Sequence, residues 1–249
     1  MHPILRKALK ICVPAAVYIV IWLLLSILVG SSLLLPSPYE TALAACSILG
    51  SEAGWHAIGL TLVRILIGYV SGCAIGVVLA VLTAHSAAAD WLLKPLHTLI
   101  KTTPITSFAL ILLVSVVSGV VPVIVSVIVV VPMVWQTTEE AIRNRSRELD
   151  EMARIYLTPW KKLRFVTLPQ VLPQFLATAS VSLGFAWKAV ITAEILALPK
   201  FGIGRQMQNN KIYLDIPELF AWTLLVILFS VLIETILKTL LRKAGQRYD

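Results

Sequence analysis

An all-α protein built of membrane-spanning helices is the fold class this sequence predicts, and three observations predict it. Only 14% of the 249 residues are charged, against about a quarter in an ordinary soluble domain. The hydrophobic 58%, with a mean hydropathy of +0.88, falls in long runs, and a helix needs about 20 apolar residues to cross the hydrocarbon core. Lys and Arg gather between and beyond those runs, where they set topology. The net charge of +8 is therefore a topology signal and not a nucleic-acid footprint. A soluble protein with a large core needs no such helices, and that class is set aside.

Taken in order, the first span covers residues 11–34 and is closed by Pro36-Ser37-Pro38. Arg6, Lys7 and Lys10 precede it, but its length and the lack of a clear cleavage site mark a retained span, not a signal peptide. A polar, amphipathic stretch follows over 40–56. The second span is 61–83, with Arg64 near its start expected to snorkel to an interface. The third is 104–117, preceded by 91–103, which is either its first turns or an interfacial helix. The fourth, 120–135, is interrupted by Pro122 and Pro132, because proline removes a backbone donor. The fifth is 172–198 and the sixth 219–241.

Basic residues orient these six spans. The amino end has Arg6, Lys7 and Lys10, the second connection Lys94 and Lys101, and the tail Lys238, Arg242, Lys243 and Arg247. The connections after span one and around Gly119 have none, while Lys200, Arg205 and Lys211 after span five run against the trend. The sum places both termini in the cytoplasm. In span two Gly68, Gly72 and Gly76 recur every fourth residue. Such spacing admits a second helix closely, either within the chain or from another copy. Cys12, Cys46 and Cys73 lie in or near apolar runs without metal or redox spacing.

Between spans four and five lies a polar island, residues 139–170, carrying seven of the Lys and Arg residues. Its stretch 147–157 has helical character. Ser146 is the expected N-cap, Asp150 places negative charge near the first turns, and Pro159 stops the helix. Leu149, Met152, Ala153 and Tyr156 share one face and Asp150, Glu151 and Arg154 another. So short a helix is not stable alone and needs partners. Joined directly to two spans, it is suited to transmit a push from outside the bilayer, unless it is simply a topology-setting loop with helical propensity.

The stretch Glu151-Met152-Ala153-Arg154-Ile155-Tyr156-Leu157, followed by Trp160-Lys161-Lys162-Leu163-Arg164, Leu168-Pro169 and Leu172-Pro173, resembles the EAA loop of the inner-membrane permeases of binding-protein-dependent ABC importers. Met152 replaces the loop's first alanine, and its usual glycine aligns with Leu157. Leu35-Pro36-Ser37-Pro38, Thr61 to Tyr69, Pro95-Leu96, Thr103-Pro104-Ile105, Trp187 to Leu196, Phe201-Gly202-Ile203-Gly204, Tyr213-Leu214-Asp215 and Phe220-Ala221 resemble, in register, the nitrate/sulfonate/taurine-type branch, which also holds permeases for pyrimidine-type vitamin precursors. The resemblance implies a single permease domain over 1–249 with the type I importer fold, in a bacterial cytoplasmic (inner) membrane. It also implies a coupling helix with Asp150, Glu151, Ala153, Arg154, Tyr156, Leu157, Pro159 and Trp160 at the ATPase contact. The implied partners are a second permease copy, two ATPase subunits that bind ATP and Mg, a periplasmic or lipid-anchored solute-binding protein, and a small solute.

Two ionisable residues stand inside span five, Lys188 and Glu194, and intramembrane charges usually face protein or a water-filled path. Lys188 has three readings: contact with an anionic solute, a pair across the bundle, or a dimer seam. Trp187 is expected beside it as a rigid wall. Glu194, nearer the outer end, is expected to be satisfied by water or the binding protein, and the family resemblance also places an acid there. With Pro104, these are the substrate-path candidates. No GxxxxGK[ST] motif and no catalytic order of Ser, His or Cys occurs, so the chain is read as no enzyme and without a cofactor of its own. The competing readings are an ion-driven secondary transporter and a non-transporting membrane scaffold.

Overall fold

The computed structural model describes residues 3–245, and of residues 3–12, 238 and 240–245 only the backbone. Arg247 lies outside the described residues, as do the side chains of Arg6, Lys7, Lys10, Cys12, Lys238, Arg242 and Lys243. The described chain is helical throughout, with the order α1 (Pro3–Val29), α2 (Pro38–Gly50), α3 (Glu52–His85), α4 (Ala87–Thr102), α5 (Ile105–Ser115), α6 (Val121–Arg143), α7 (Arg147–Tyr156), α8 (Pro159–Lys162), a π-helical turn (Leu163–Thr167), α9 (Leu168–Ala197), α10 (Ile203–Tyr213) and α11 (Ile216–Gly245).

Among the described residues four helices are long and apolar enough to cross a membrane, and the bent pair α4–α5 makes up to five. This is fewer than the six spans expected. The described apolar part of α1 is only Val13–Val29, and α5 by itself has 11 residues. The segment before α5 is not its first turns: α4 is a separate helix, bent by 100° from α5 at a break next to Pro104. Pro122 does not interrupt α6 but sits in its first turn, where no donor is needed. Pro132 lies inside a continuous α6, and its carbonyl accepts from His97 Nε2 at 3.2 Å. The helix that carries the fifth span starts earlier than the span itself, because α8, the π turn and α9 run on without a break from Pro159 to Ala197.

The three central helices α3, α6 and α9 pack side by side, with α6 the most enclosed. Gly68, Gly72 and Gly76 are buried where α3 meets α6. A Cβ at Gly72 would stand 2.8 Å from Val130 Cβ, and one at Gly76 2.9 Å from Val134 Cβ. The glycine line is therefore a within-chain seam where backbone approaches side chain. Elsewhere the long helices turn apolar residues outward, such as Val70, Val78, Leu228 and Val231; on a helix in lipid that face needs no cover.

Each end of the bundle has its own polar fastening. At one end, Trp135 Nε1 donates to Thr83 Oγ1 at 3.0 Å, and Arg143 Nη2 donates to Thr83 O at 2.9 Å while pairing with Glu139 and Asp90. At the other, Trp22 Nε1 donates to Pro36 O and Ser26 Oγ to Leu35 O, tying α1 to the turn before α2. That turn is a capping box: Ser37 and Glu40 satisfy each other's backbone N–H groups, with Pro38 at the first helical position.

Candidate functional site

The polar island folds into a compact hairpin at the end of α6. Ser146 caps α7, its Oγ accepting from Leu149 N at 3.3 Å. The helix ends at Tyr156, and Leu157 takes extended backbone, φ −120° and ψ 143°. Leucine at the family's glycine position is thus compatible with the turn, since no positive φ is required there. Thr158-Pro159 opens α8 at once, with Pro159 in its first turn. From Pro159 onward the chain is helical as far as Ala197, relaxed through a single π turn, over roughly 58 Å at 1.5 Å per residue.

Asp150 is the centre of this hairpin. Its carboxylate lies 2.9 Å from Lys162 Nζ of α8, 3.5 Å from Arg154 Nε of α7 and 3.7 Å from Arg145 Nη1. The Lys162 ammonium, helped by Arg145 and Arg154, holds the Asp150 carboxyl below the usual carboxylate range. Arg145 also donates to Ile142 O and to Thr167 Oγ1, and Gln170 Oε1 accepts from Ser146 N at 2.9 Å. The end of α6, α7, α8 and the π turn are therefore fixed relative to one another. Ala153 is the buried residue of α7. Glu151, Arg154, Tyr156, Pro159 and Trp160 are exposed. With Met152 and Ile155 they form a mixed apolar and charged surface, on which Ile155, Tyr156 and Trp160 are 71–79% open. Sequence reasoning missed the roles of Arg145, Lys162 and Gln170; the signal was the cations on both sides of Asp150, Arg145 and Arg147 before it and Arg154, Lys161 and Lys162 after it.

The α9 candidates separate onto different faces. Lys188 is exposed, 5.9 Å from the Phe185 ring centroid, and forms no ion pair among the described residues. It belongs to an open stripe with Gln174, Val181, Phe185 and Thr192. Towards α7, this stripe borders an apolar groove of about 430 Å³ between α6 and α9, lined by Met133, Thr137, Thr178 and Val181. Trp187 is not its wall. One residue before Lys188, and so about 100° around the helix, it is buried with Ile65, Leu183, Val190 and Ile191. Pro104 is exposed at the α4–α5 bend. On the α7 side of that bend, a polar cleft of about 650 Å³ opens between α4 and α6, with Asp90, Lys94, Lys101, Glu140 and Arg143 on its walls.

Glu194 and Arg64 depart from expectation together. Glu194 is fully buried, and Arg64 does not snorkel: its Nη1 lies 2.6 Å from Glu194 Oε1 and also donates to Phe201 O at 2.7 Å. Water is not what satisfies the acid. The legible signal was two opposite charges isolated in two different apolar runs, which in a membrane tend to find each other.

The fold and the site define a polytopic helical membrane protein with a rigid, surface-exposed hairpin at one end. The family comparison makes the class specific. Residues 72–248 match the model for the binding-protein-dependent transport system inner membrane component, and the chain belongs to that family. It is a non-catalytic permease subunit of an ABC importer. The putative aliphatic sulfonates transport permease protein SsuC of Bacillus subtilis (strain 168) is 24% identical over 92% of this chain and 83% of its own length. A probable ABC transporter permease of Brucella melitensis biotype 1 is 28% identical over 32% of each chain. Among solved structures, an amino acid ABC transporter has a TM-score of 0.59 at 17% identity, covering 75% of this chain and 90% of that one. The inward-facing MetNI methionine ABC transporter also has 0.59 at 17%, covering 81% and 96%. At that identity the likeness concerns the fold.

Proposed function

We propose that two copies of this chain form the translocation path of a type I ABC importer, with α7 as the coupling helix seated on an ATPase subunit that supplies ATP and Mg chemistry. The observation that carries this reading is the hairpin. It exposes Met152, Ile155, Tyr156 and Trp160 on a mount that ion pairs hold rigid, and that mount continues as one helix into the bundle. A push on α7 is delivered to α9 because no flexible loop intervenes. Six transits place α7 and both termini in the cytoplasm, with α1 and the α4–α5 pair each crossing once. The outer end then holds α2 and α10, where a solute-binding protein delivers its cargo.

The solute is a small anion of the sulfonate, taurine or nitrate kind. Two features support this over a neutral pyrimidine-type precursor: Lys188, which has no ion pair among the described residues and lies on the open stripe of α9, and the relative from Bacillus subtilis named for aliphatic sulfonates. Lys188 supplies one positive charge per copy to the path, while Glu194 is neutralised by Arg64.

The test is uptake of a short alkanesulfonate into proteoliposomes holding the permease, its cognate ATPase and its solute-binding protein. Uptake is expected to require all three and ATP. ATP-independent uptake driven by an ion gradient would replace this reading with a secondary transporter. Folded complex without any uptake or ATP turnover would leave a scaffold.

A further inference from the structure

The Glu194 carboxylate gathers more partners than a simple ion pair needs. Arg64 Nη1 reaches Oε1, Thr61 Oγ1 stands 3.0 Å from both oxygens, and Gly204 N donates to Oε2 at 2.9 Å. The same groups hold the chain that follows: Thr61 Oγ1 accepts from Ile203 N at 2.9 Å, and Arg64 Nη1 donates to Phe201 O. Ile203 and Gly204 begin α10, so their N–H groups have no acceptor within the helix and turn inward instead, Ile203 N to Thr61 Oγ1 and Gly204 N to the buried acid. Space is made for this approach by glycine. A Cβ at Gly202 would stand 2.7 Å from the Glu194 carboxylate carbon, and one at Gly204 2.6 Å from Glu194 Cβ.

We propose that Glu194 is the positioning residue of α10: with Arg64 and Thr61 it seats the start of that helix on α3 and α9, so that α10 is carried by its own bundle and is not a hinged lid. The neighbours agree, since α10 packs on α9, α11 and α3, with Ile203 wholly buried. At its far end α10 stops at Leu214, whose φ of 59° is left-handed, leaving Lys211 to Asp215 exposed. The buried acid thereby fixes where this exposed corner stands. Naming it the outer corner rests on the proposed orientation; the seating itself does not.

Hydrogen–deuterium exchange on the full chain in nanodiscs, with no ATPase present, tests the seating independently of the transport reading. The variants are Glu194→Gln, Thr61→Val, the neutral double Arg64→Gln/Glu194→Gln, and Arg64→Lys. Glu194→Gln and Thr61→Val are expected to speed exchange across residues 203–213 about tenfold or more, because the donors at the helix start lose their charged or hydroxyl acceptor. Peptides from the α3–α6 seam keep their protection, and Arg64→Lys, which retains the cation, keeps most of the protection of α10. Unchanged exchange of α10 in folded Thr61→Val and in the double variant would overturn the proposal. So would an equal rise in the α3–α6 seam, which would make the cluster a general support of the fold. If Glu194→Gln does not fold, Thr61→Val decides alone.

Discussion

Adding one methyl group at Gly68 should destabilise the bundle, whereas the same change at Gly59 should not, although both residues lie on α3. At Gly68 a Cβ would press into the Ser126 side chain, 2.7 Å from Oγ, and stand 2.9 Å from Val123 O. Backbone cannot yield as a flexible side chain can, so α3 and α6 must separate along their seam. Overpacking of this kind costs about 1–3 kcal/mol, and glycine-to-alanine in a helix interior returns about 0.8–1 kcal/mol. The net for Gly68→Ala is then a loss of up to about 2 kcal/mol. At Gly59 nothing lies within 4 Å of the added carbon, leaving neutrality or a gain of up to about 1 kcal/mol. Thermal unfolding of the purified chain in detergent reads the difference, at about 2–4 °C per kcal/mol for a chain of this size. Ser126→Gly removes the atoms nearest the new methyl, so in the double variant it should return part of the loss, a coupling of about 1 kcal/mol. Equal Tm values for Gly68→Ala and Gly59→Ala would refute the seam.

Three further outcomes follow from the site. Asp150→Asn should weaken the hairpin by about 1–2 kcal/mol, read as faster amide exchange over 147–162. Because the folded Asp150 pKa is lowered, the wild-type advantage is fully present above the ordinary carboxylate range near pH 4 and vanishes only as pH falls through the lowered value. The gap between the two proteins should therefore stay constant from neutral pH down to about pH 5 and close below about pH 4. Tyr156→Ala with Met152→Ala should reduce binding of the cognate ATPase by about 2 kcal/mol, roughly 30-fold, in a pull-down from detergent; undiminished binding would remove α7 from the contact. Lys188→Met should lower alkanesulfonate uptake about tenfold or more, with ATPase binding unchanged, and uptake at the wild-type rate would remove Lys188 from the path.

Much of the hairpin is local chemistry. Ser146 at the N-cap and Pro159 after the last turn bound α7 using groups within a few residues of its ends, so its limits can be read from the chain. The same holds for the apolar runs that became α3, α6, α9 and α11, since each satisfies its own backbone in lipid. The count of crossings did not follow so directly, because α4 and α5 are two helices at 100° where hydropathy alone suggests continuity or a break. Prolines misled for a related reason. Pro122 at a helix start and Pro132 within a helix are the same residue to a pattern, and only the position of neighbouring donors separates them.

By itself, then, the sequence determined that this chain is a helical membrane bundle with one charged hairpin, because apolar length, capping and breaking are sums over adjacent residues. Tertiary structure decided what the isolated charges do. Arg64 and Glu194 lie 130 positions apart, and whether they meet depends on the order of the helices and on the rotation of each about its axis. Lys188, six residues from Glu194 on the same helix, was left open by that same rotation.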